Sequence, residues 1–507
     1  MNITRRNFFI GGCAGALGAF GGNRFFAAAG FKAGGKPNVR FGVVSDIHIT
    51  KVGANEKMSA WGNNLTFKHT LEWFRDQNVD AVMIAGDMAD NGMVEQMEAV
   101  AQAWYAVFPG DKYPDDRPIE KVFVMGNHDY HGYLYGDHAA KRYPDMDERV
   151  KHVLRSDFAT RWKRIFNEDY TRFYCKKIKG YAFLGQHWDD GMGMETGHGS
   201  CDFGVELQAF LDAKGKTLDP ALPFFYVQHP HPKDTCYGPW AWGHDSGKVT
   251  AALSAYPNAV AFSGHSHYTL TDERSIWQGG FTSLGTASLR ACASPGDELH
   301  PDSGYENGWG GQNAFKASRP ISEASRQGML VRVFDDCIAF TRRDFSTGKT
   351  LGGDWVVPLP VAKSQPFAFE PRRAKEKPPA FADGAKLAVT KVEATNRGGK
   401  AKVDGVKKTV PSEKKAAVRL DFPQADAVRT TRPFSYEVAF VPASGKTVVK
   451  RMLAANVYKP DDDYWSAKGE TMTVCLDQLP PAPFKIEVRA ISSLERKSAP
   501  LAAAFGG

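Results

Sequence analysis

The sequence lacks several features that define common protein classes. After residue 30 no apolar run approaches the roughly 18 residues that a membrane-spanning helix needs. Its 507 residues include seven cysteines, none of them in a Cys-x-x-Cys pair, which excludes zinc ribbons and thioredoxin-type redox sites. No Gly-x-Ser-x-Gly occurs, so nothing indicates a serine hydrolase. We therefore expect a globular protein of two or three domains without a transmembrane helix.

The first 29 residues have the composition of an export signal. Thr4-Arg5-Arg6-Asn7-Phe8-Phe9-Ile10 precedes a small and mildly apolar run and then Ala27-Ala28-Ala29. This order is typical of a cleavable signal, and the many glycines disfavour the alternative, an anchoring helix. The paired arginines resemble the twin-arginine type of signal. We expect residues 1–29 to be a signal peptide cleaved near Ala29, and the mature protein to be periplasmic or extracellular.

From residue 39 onward, apolar strand-like runs alternate with helical spacing. The first strand candidates are 39–44, 81–85, 121–125, 224–227 and 259–262, with helical stretches at 65–77 and 94–107. Continuous apolar strands separated by helices indicate a sheet covered on both faces. We predict an α/β domain over residues 30–362. Later strand candidates at 274–277, 280–284 and 329–341 have no helix between them and are expected to pair antiparallel.

Beyond residue 362 the composition changes. Residues 363–382 are rich in proline and basic side chains, which predicts a linker or a wrapping segment. Residues 383–507 contain short alternating strands without a helical pattern, so we predict a small antiparallel all-β sandwich. The run 484–491, followed by Pro500, resembles the last strand of a fibronectin type III module, which implies a fibronectin III/Ig-like fold.

The net charge of +7 is unevenly distributed. Residues 30–362 carry 35 basic and 41 acidic side chains, whereas residues 363–507 carry 26 basic and 16 acidic ones. Because the larger domain is acidic, we expect no nucleic-acid binding. The basic C-terminal region is expected to dock on the acidic domain or on an anionic surface of the cell envelope.

Polar clusters follow five of the apolar runs. They are Asp46-Ile47-His48, Gly86-Asp87, Gly126-Asn127-His128-Asp129, His229 and Gly264-His265-Ser266-His267. Ligands of open α/β sheets bind beyond the carboxyl ends of the strands, so we expect the clusters to converge. Carboxylates, imidazoles and an amide oxygen suit divalent metals, and seven such ligands fit two ions that share one ligand. A pair of ions about 3.5–4 Å apart favours in-line displacement at phosphorus.

Each cluster alone also has a plainer interpretation as a strand cap or turn, for example an Asx turn at Asn127. Such plain interpretations would have to hold in five places at once, so the five clusters together favour a metal site. One choice stays open in Gln228-His229-Pro230-His231-Pro232, where His231 is an alternative to His229. His229 is favoured because it follows the apolar run directly.

Taken in order, the five clusters resemble the signature of the calcineurin-like metallophosphoesterase family over about residues 38–345. The resemblance implies a four-layer α/β/β/α double sheet and a site for two divalent ions such as manganese, iron or zinc. It assigns one ion to Asp46, His48 and His267, the other to Asn127, His229 and His265, and a bridging position to Asp87. It further implies that His128 contacts the substrate phosphate and assists the leaving group, and that Asp129 orients the imidazole of His128. Purple acid phosphatases carry a tyrosine after the Gly-Asp motif, which this sequence lacks, so we expect no purple iron site.

Weaker candidates surround these clusters. Tyr130, His131, Tyr133, Tyr135, Trp240, Trp242 and His244 are candidates for the substrate pocket, His187 for structural packing, and Arg290 for a phosphate clamp. We expect an exported, metal-dependent phosphoesterase that cleaves a phosphomonoester or phosphodiester by attack of a metal-bridging hydroxide. The alternatives are a catalytically decayed protein, a hydrolase of another bond, or a binding protein of the cell envelope.

Overall fold

The structure, a computed structural model, describes residues 35–50, 63–135, 145, 157–188, 203–238, 241, 243–294, 325–361, 364–395, 399–403, 406–425, 431–465 and 469–506. The described helices are α1 (Asn63–Asp76), α2 (Val94–Val107), α3 (Asn127–Tyr135), α4 (Phe158–Phe166), α5 (Gly204–Lys214), α6 (Lys248–Leu253), α7 (Phe369–Lys375) and α8 (Asp461–Tyr464). None of these helices has the length and apolar character needed to cross a membrane.

The described strands are β1 (Val39–Val44), β2 (Ala81–Ala85), β3 (Glu120–Val124), β4 (Phe173–Ile178), β5 (Tyr181–Gln186), β6 (Phe224–Val227), β7 (Ala259–Ser263), β8 (Ile276–Gln278), β9 (Thr282–Gly285), β10 (Gln327–Val333), β11 (Cys337–Asp344), β12 (Lys349–Thr350), β13 (Trp355–Pro358), β14 (Ala388–Thr395), β15 (Gly399–Val403), β16 (Val406–Val410), β17 (Lys414–Phe422), β18 (Pro433–Pro442), β19 (Val448–Leu453), β20 (Glu470–Cys475), β21 (Phe484–Ser492) and β22 (Leu501–Phe505).

Two mixed sheets make up the N-terminal part. One has the order β12-β11-β10-β1-β2-β3 with β13 beside β11, and the other has the order β4-β5-β6-β7-β9-β8. The first five predicted strands and both predicted helices are confirmed. The single strand candidate at 329–341 is instead two strands, β10 and β11, which pair antiparallel with each other. The expectation for 280–284 is only partly right, because β9 is antiparallel to β8 but parallel to β7. The long connection after β7 returns the chain to the same end of the sheet without a described α-helix.

The two sheets pack face to face, and helices cover their outer faces. Between the sheets, the ring of Phe41 lies 5.1 Å from that of Phe183 and 4.8 Å from that of Phe225, both edge to face. Alternate residues of β2 face opposite ways: Met83 joins this central core, and Ile84 joins the core under α1 and α2. Both faces of these strands are therefore buried, which explains their continuous apolar runs.

The C-terminal part is built from antiparallel sheets. Among the described residues, β14, β17 and β20 form a three-stranded sheet, β19, β18, β21 and β22 form a four-stranded sheet, and β15 pairs with β16. The antiparallel prediction is confirmed. The four-residue helix α8 was not predicted, because one turn is too short to show a helical period.

The predicted linker packs against the N-terminal part. Its helix α7 carries Arg372, which is 3% exposed and donates hydrogen bonds to the carbonyl and the carboxylate of Glu273 at 2.8 and 2.6 Å. The C-terminal part makes similar contacts, since the Val457 carbonyl accepts a hydrogen bond from the Thr271 hydroxyl at 2.6 Å. The Tyr458 carbonyl accepts another from the Gln327 amide at 3.0 Å. Buried hydrogen bonds thus join the C-terminal sheets to the two-sheet part.

Candidate metal centre

The five polar clusters lie together beyond the carboxyl ends of β1, β2, β3, β6 and β7. Backbone hydrogen bonds tie the loop after β1 to the loop after β2: Asp46 N–H donates to the Gly86 carbonyl and His48 N–H to the Asp87 carbonyl, each at 3.0 Å. Neighbouring parallel strands therefore deliver these side chains to one place, as the strand pattern predicts.

The first group of possible metal ligands consists of Asp46, His48 and His267. His267 Nε2 lies 3.1 Å from Asp46 Oδ1 and 3.1 Å from His48 Nε2. His48 Nε2 is also 3.9 Å from Asp46 Oδ1. These three atoms therefore form a compact donor set.

The second group consists of Asp87, His229 and His265, with Asn127 beside it. His229 Nε2 lies 3.1 Å from Asp87 Oδ2, 3.1 Å from Asn127 Oδ1 and 3.2 Å from His265 Nδ1. Asp87 Oδ2 is also 3.6 Å from His48 Nε2 of the first group. The Asp87 carboxylate thus stands between the two groups, where a shared ligand is needed.

Hydrogen bonds orient three imidazoles so that Nε2 points into the centre. The Nδ1 atoms of His48, His229 and His267 donate to the Asp90 carboxylate (3.2 Å), the Ala85 carbonyl (2.7 Å) and the Ala291 carbonyl (3.1 Å). Histidines that bind metals typically hold the outer nitrogen this way. Two pairs of imidazole nitrogens then face each other across about 3 Å, which is stable only with a proton or cation near them. The donor set therefore fits two divalent ions.

The backbone at the centre is strained. The residues with left-handed φ include five of the seven candidate ligands: Asp46 (49°), His48 (49°), Asp87 (54°), His265 (70°) and His267 (58°). This conformation costs a non-glycine residue about 1 kcal/mol or more. Such strain is characteristic of functional sites, where the surrounding fold holds side chains in a required direction.

Two glycines in the clusters are needed because the carboxylate of a candidate metal-binding residue lies close to each of them. A Cβ at Gly126 would lie 2.6 Å from the Asp87 nitrogen and would collide with its carboxylate, and a Cβ at Gly264 would lie 2.5 Å from Asp46 Oδ2. Any larger residue would displace a carboxylate. The Gly-Asn and Gly-His pairs of the sequence thus have a steric reason.

The pKa values of these groups are shifted by burial and by one another. Burial lowers the pKa of His48 to about 4. Burial also disfavours the charged form of His229, but the carboxylates of Asp87 and Asp46 outweigh it and raise the pKa of His229 to about 9. The imidazole of His229 in turn holds the pKa of Asp87 well below its usual value, against the effect of burial. The centre therefore keeps an anionic carboxylate in a buried place.

His128 lies beside the first group, but Asp129 does not hold its ring. The rings of His48 and His128 are 4.5 Å apart, and His128 Nδ1 donates to the Asp90 carbonyl at 2.7 Å. The Asp129 carboxylate instead accepts from the backbone N–H groups of Met88, Ala89 and Gly126 at 3.2, 2.7 and 2.8 Å. The expectation that Asp129 orients His128 is therefore corrected: Asp129 braces the loop that carries Asp87.

Asp90 was missed by sequence reasoning. Its carboxylate accepts from His48 and from Arg290, and its carbonyl holds His128. The available signal was its position three residues after Asp87, in the stretch Gly86-Asp87-Met88-Ala89-Asp90.

Other candidates are placed away from the ligands or are not described. His231 is buried, with its ring nitrogens 2.7 and 2.6 Å from the hydroxyls of Ser263 and Ser266, so His229 is the one brought to the centre. His187 accepts from Met125 N–H at 3.1 Å, which is a structural role. Tyr130 stacks on Phe158, and His244 has no hydrogen-bond partner for either buried ring nitrogen among the described residues. Trp240 and Trp242, and the side chains of His131, Tyr133 and Tyr135, lie outside the described part.

Residues 39–269 match the family model described as calcineurin-like phosphoesterase. No curated protein matches the chain. Similar solved structures include a dimetal phosphatase from Danio rerio (11% identity, 64% of this chain and 99% of that chain, TM-score 0.36). Another is a purple acid phosphatase from seeds of yellow lupin, Lupinus luteus (14% identity, 63% and 54%, TM-score 0.35). At so low an identity and TM-score, these structural likenesses carry no argument about function.

The family match covers the strands and loops that carry all seven candidate ligands, from Asp46 to His267. The part of the chain that matches the calcineurin-like phosphoesterase model thus carries the whole candidate centre, and the protein is a phosphoric ester hydrolase whose site fits two divalent metal ions.

Proposed function

We propose that the protein is an exported phosphoesterase that hydrolyses phosphomonoesters or phosphodiesters at this centre by in-line attack of water. The observation that carries the proposal is the pair of ligand groups joined through Asp87, since a two-metal centre is the arrangement that clamps a phosphoryl group from both sides.

The chain's own residues have distinct tasks in this reaction. Asp46, His48 and His267 would hold one ion, Asn127, His229 and His265 the other, and Asp87 both. Two ions held there would polarise the phosphoryl oxygens and activate the attacking water. His128 donates from Nδ1 to the Asp90 carbonyl, so Nε2 is the nitrogen that would protonate the leaving oxygen.

Chelation should abolish turnover. We expect protein loaded with manganese or zinc to release a phenol from aryl phosphates, with inorganic phosphate as the second product of a monoester, and removal of the metal to lower the rate by about 100-fold or more. The measurement is release of 4-nitrophenol from mono- and bis(4-nitrophenyl) phosphate, before and after dialysis against EDTA, with re-addition of metal as the control. Full turnover without metal would refute the proposal. Two bound ions without any ester turnover would instead indicate a decayed enzyme, and metal-dependent cleavage of carboxylic esters alone would indicate another hydrolase.

Export through the twin-arginine route is supported by residues 1–29, which lie outside the described part. Replacing Arg5 and Arg6 together with lysine keeps the charge but removes the arginine pair. We expect this variant to stay in the cytoplasm as uncleaved precursor, whereas Arg24→Lys, the matched control, is exported. The measurement is fractionation of a bacterial host, and normal export of the double variant would contradict this route.

We further propose residues 30–362 as the catalytic domain, 363–382 as a segment that wraps it, and 383–507 as a fibronectin III/Ig-like sandwich. The buried contacts of Arg372 and Val457 support docking of the C-terminal part on the catalytic domain. An experimental structure in which the three- and four-stranded sheets do not pack face to face would refute the sandwich.

A further inference from the structure

Arg290 lies at the rim of the metal centre with unused hydrogen-bond donors. Its backbone N–H donates to the Asp46 carbonyl at 3.1 Å, which fixes its Cα beside a metal ligand. Its side chain is 44% exposed, and Nη1 donates to the Asp90 carboxylate. A guanidinium has five N–H donors, and in the described part of the chain Asp90 is the partner of this one. The remaining donors are available to a ligand.

Asp90 places Arg290 on the side of the centre where His128 stands. Its carboxylate accepts from Arg290 and, at 3.2 Å, from His48 Nδ1, whereas its carbonyl accepts from His128 Nδ1 at 2.7 Å. A metal ligand, the leaving-group residue and the guanidinium therefore converge on one residue. A phosphate bound between His128 and an ion held by His48 would therefore lie next to Arg290.

We propose that Arg290 binds the substrate phosphate and makes the centre select phosphomonoesters over phosphodiesters. This inference rests on the proposed function. A monoester is doubly charged near neutral pH and keeps an additional terminal oxygen, whereas a diester has one charge and a substituent in that place. A guanidinium pairs two phosphate oxygens at once, so it gains most from the dianion.

A different role for Arg290 would leave other traces. If the guanidinium only neutralised Asp90 and so supported His48, its loss would weaken metal binding and slow both kinds of ester equally. Bound metal and the ratio of the two ester activities therefore separate the roles.

The test compares Arg290→Gln and Arg290→Lys with the wild type, all loaded with metal. For Arg290→Gln we expect kcat/KM for 4-nitrophenyl phosphate to fall about 10- to 100-fold, the loss of one or two charge-assisted hydrogen bonds. We expect kcat/KM for bis(4-nitrophenyl) phosphate to fall less than about 5-fold and bound metal to stay at the wild-type level. For Arg290→Lys we expect a kcat/KM between those of Arg290→Gln and the wild type, since lysine keeps the positive charge but cannot donate two parallel hydrogen bonds. Calorimetric titration with inorganic phosphate should show about 10-fold weaker binding to Arg290→Gln.

The matched control is Arg164→Gln. Arg164 is 55% exposed and makes a similar single ion pair, 2.7 Å from Nη1 to the Glu98 carboxylate, on α4. Arg164→Gln should leave kcat/KM for both esters unchanged. Equal losses on both esters, loss of bound metal, or unchanged monoester kinetics in Arg290→Gln would each overturn the inference, as would a wild type that prefers the diester. If no variant and no wild-type protein shows metal-dependent turnover, the proposed function itself fails, and the phosphate titration still decides whether Arg290 binds phosphate.

Discussion

Replacing Asp87 with asparagine should lower kcat/KM for 4-nitrophenyl phosphate by about 1,000-fold or more. The Asp87 carboxylate is 3.1 Å from His229 Nε2 and 3.6 Å from His48 Nε2, so it is the ligand close to both groups. Asparagine keeps the size but removes the negative charge that two cations would share. We therefore expect the number of bound ions per chain to fall below two, measured by elemental analysis after gel filtration.

The control for Asp87→Asn is Asp344→Asn. Asp344 is also a buried carboxylate, but it accepts hydrogen bonds from the backbone of Arg326 and Ser346 on another part of the fold. Its substitution should leave both the metal content and the ratio of the two ester activities unchanged. Two retained ions together with wild-type turnover in Asp87→Asn would refute the bridging role.

Replacing His128 with alanine should lower kcat by about 100- to 10,000-fold while both ions stay bound. His128 is attached to the centre through its backbone N–H, which donates to Asp87 Oδ1 at 2.8 Å, and alanine keeps that bond. The lower kcat would come from slower proton transfer to the leaving oxygen. A poor leaving group needs this proton more, so the defect should be larger for phenyl phosphate than for 4-nitrophenyl phosphate.

The measurement for His128→Ala is kcat on both aryl esters together with bound metal. The exposed His69 on α1 provides the control, and His69→Ala should behave as the wild type. A defect of the same size on both esters would argue against protonation of the leaving group by His128. Full activity of His128→Ala would refute any catalytic role.

The candidate ligands were predictable because each follows an apolar strand directly. Parallel strands of one sheet bring their carboxyl ends to one edge, so Asp46 and Asp87 are expected near each other before any coordinates are known. His229 follows β6 of the other sheet, and the packing of the two sheets brings it to them. The hydrogen-bond partners of the side chains around the ligands were harder to predict from the sequence. His128 and Asp129 are consecutive residues of α3, and consecutive residues of a helix do not face each other. Asp129 therefore points to the loop after β2 and leaves His128 to the carbonyl of Asp90.

The fold, too, was predictable from the sequence only in part. Periodicity predicted the strands and helices around the centre, since both faces of β1 and β2 are buried and leave continuous apolar runs. It could not predict that β9 joins the parallel part of its sheet, because pairing direction depends on the path of the preceding connection. It also left the packing of the segment around Arg372 undecided between a spacer and a wrapping contact. That contact depends on Glu273, a residue about one hundred positions away in the chain.

The sequence by itself determined the kind of chemistry. Carboxylates, imidazoles and an amide after buried strands specify a site for two divalent ions, because ligand type and strand direction are local properties of the chain. Only the tertiary structure decided which residues hydrogen-bond the candidate ligands and His128. Asp90 connects His48, His128 and Arg290, and Asp129 accepts hydrogen bonds from the backbone of the loop that carries Asp87. These contacts join loops from β1, β2, β3 and β9, and a hydrogen bond between distant loops leaves no periodic trace in the sequence.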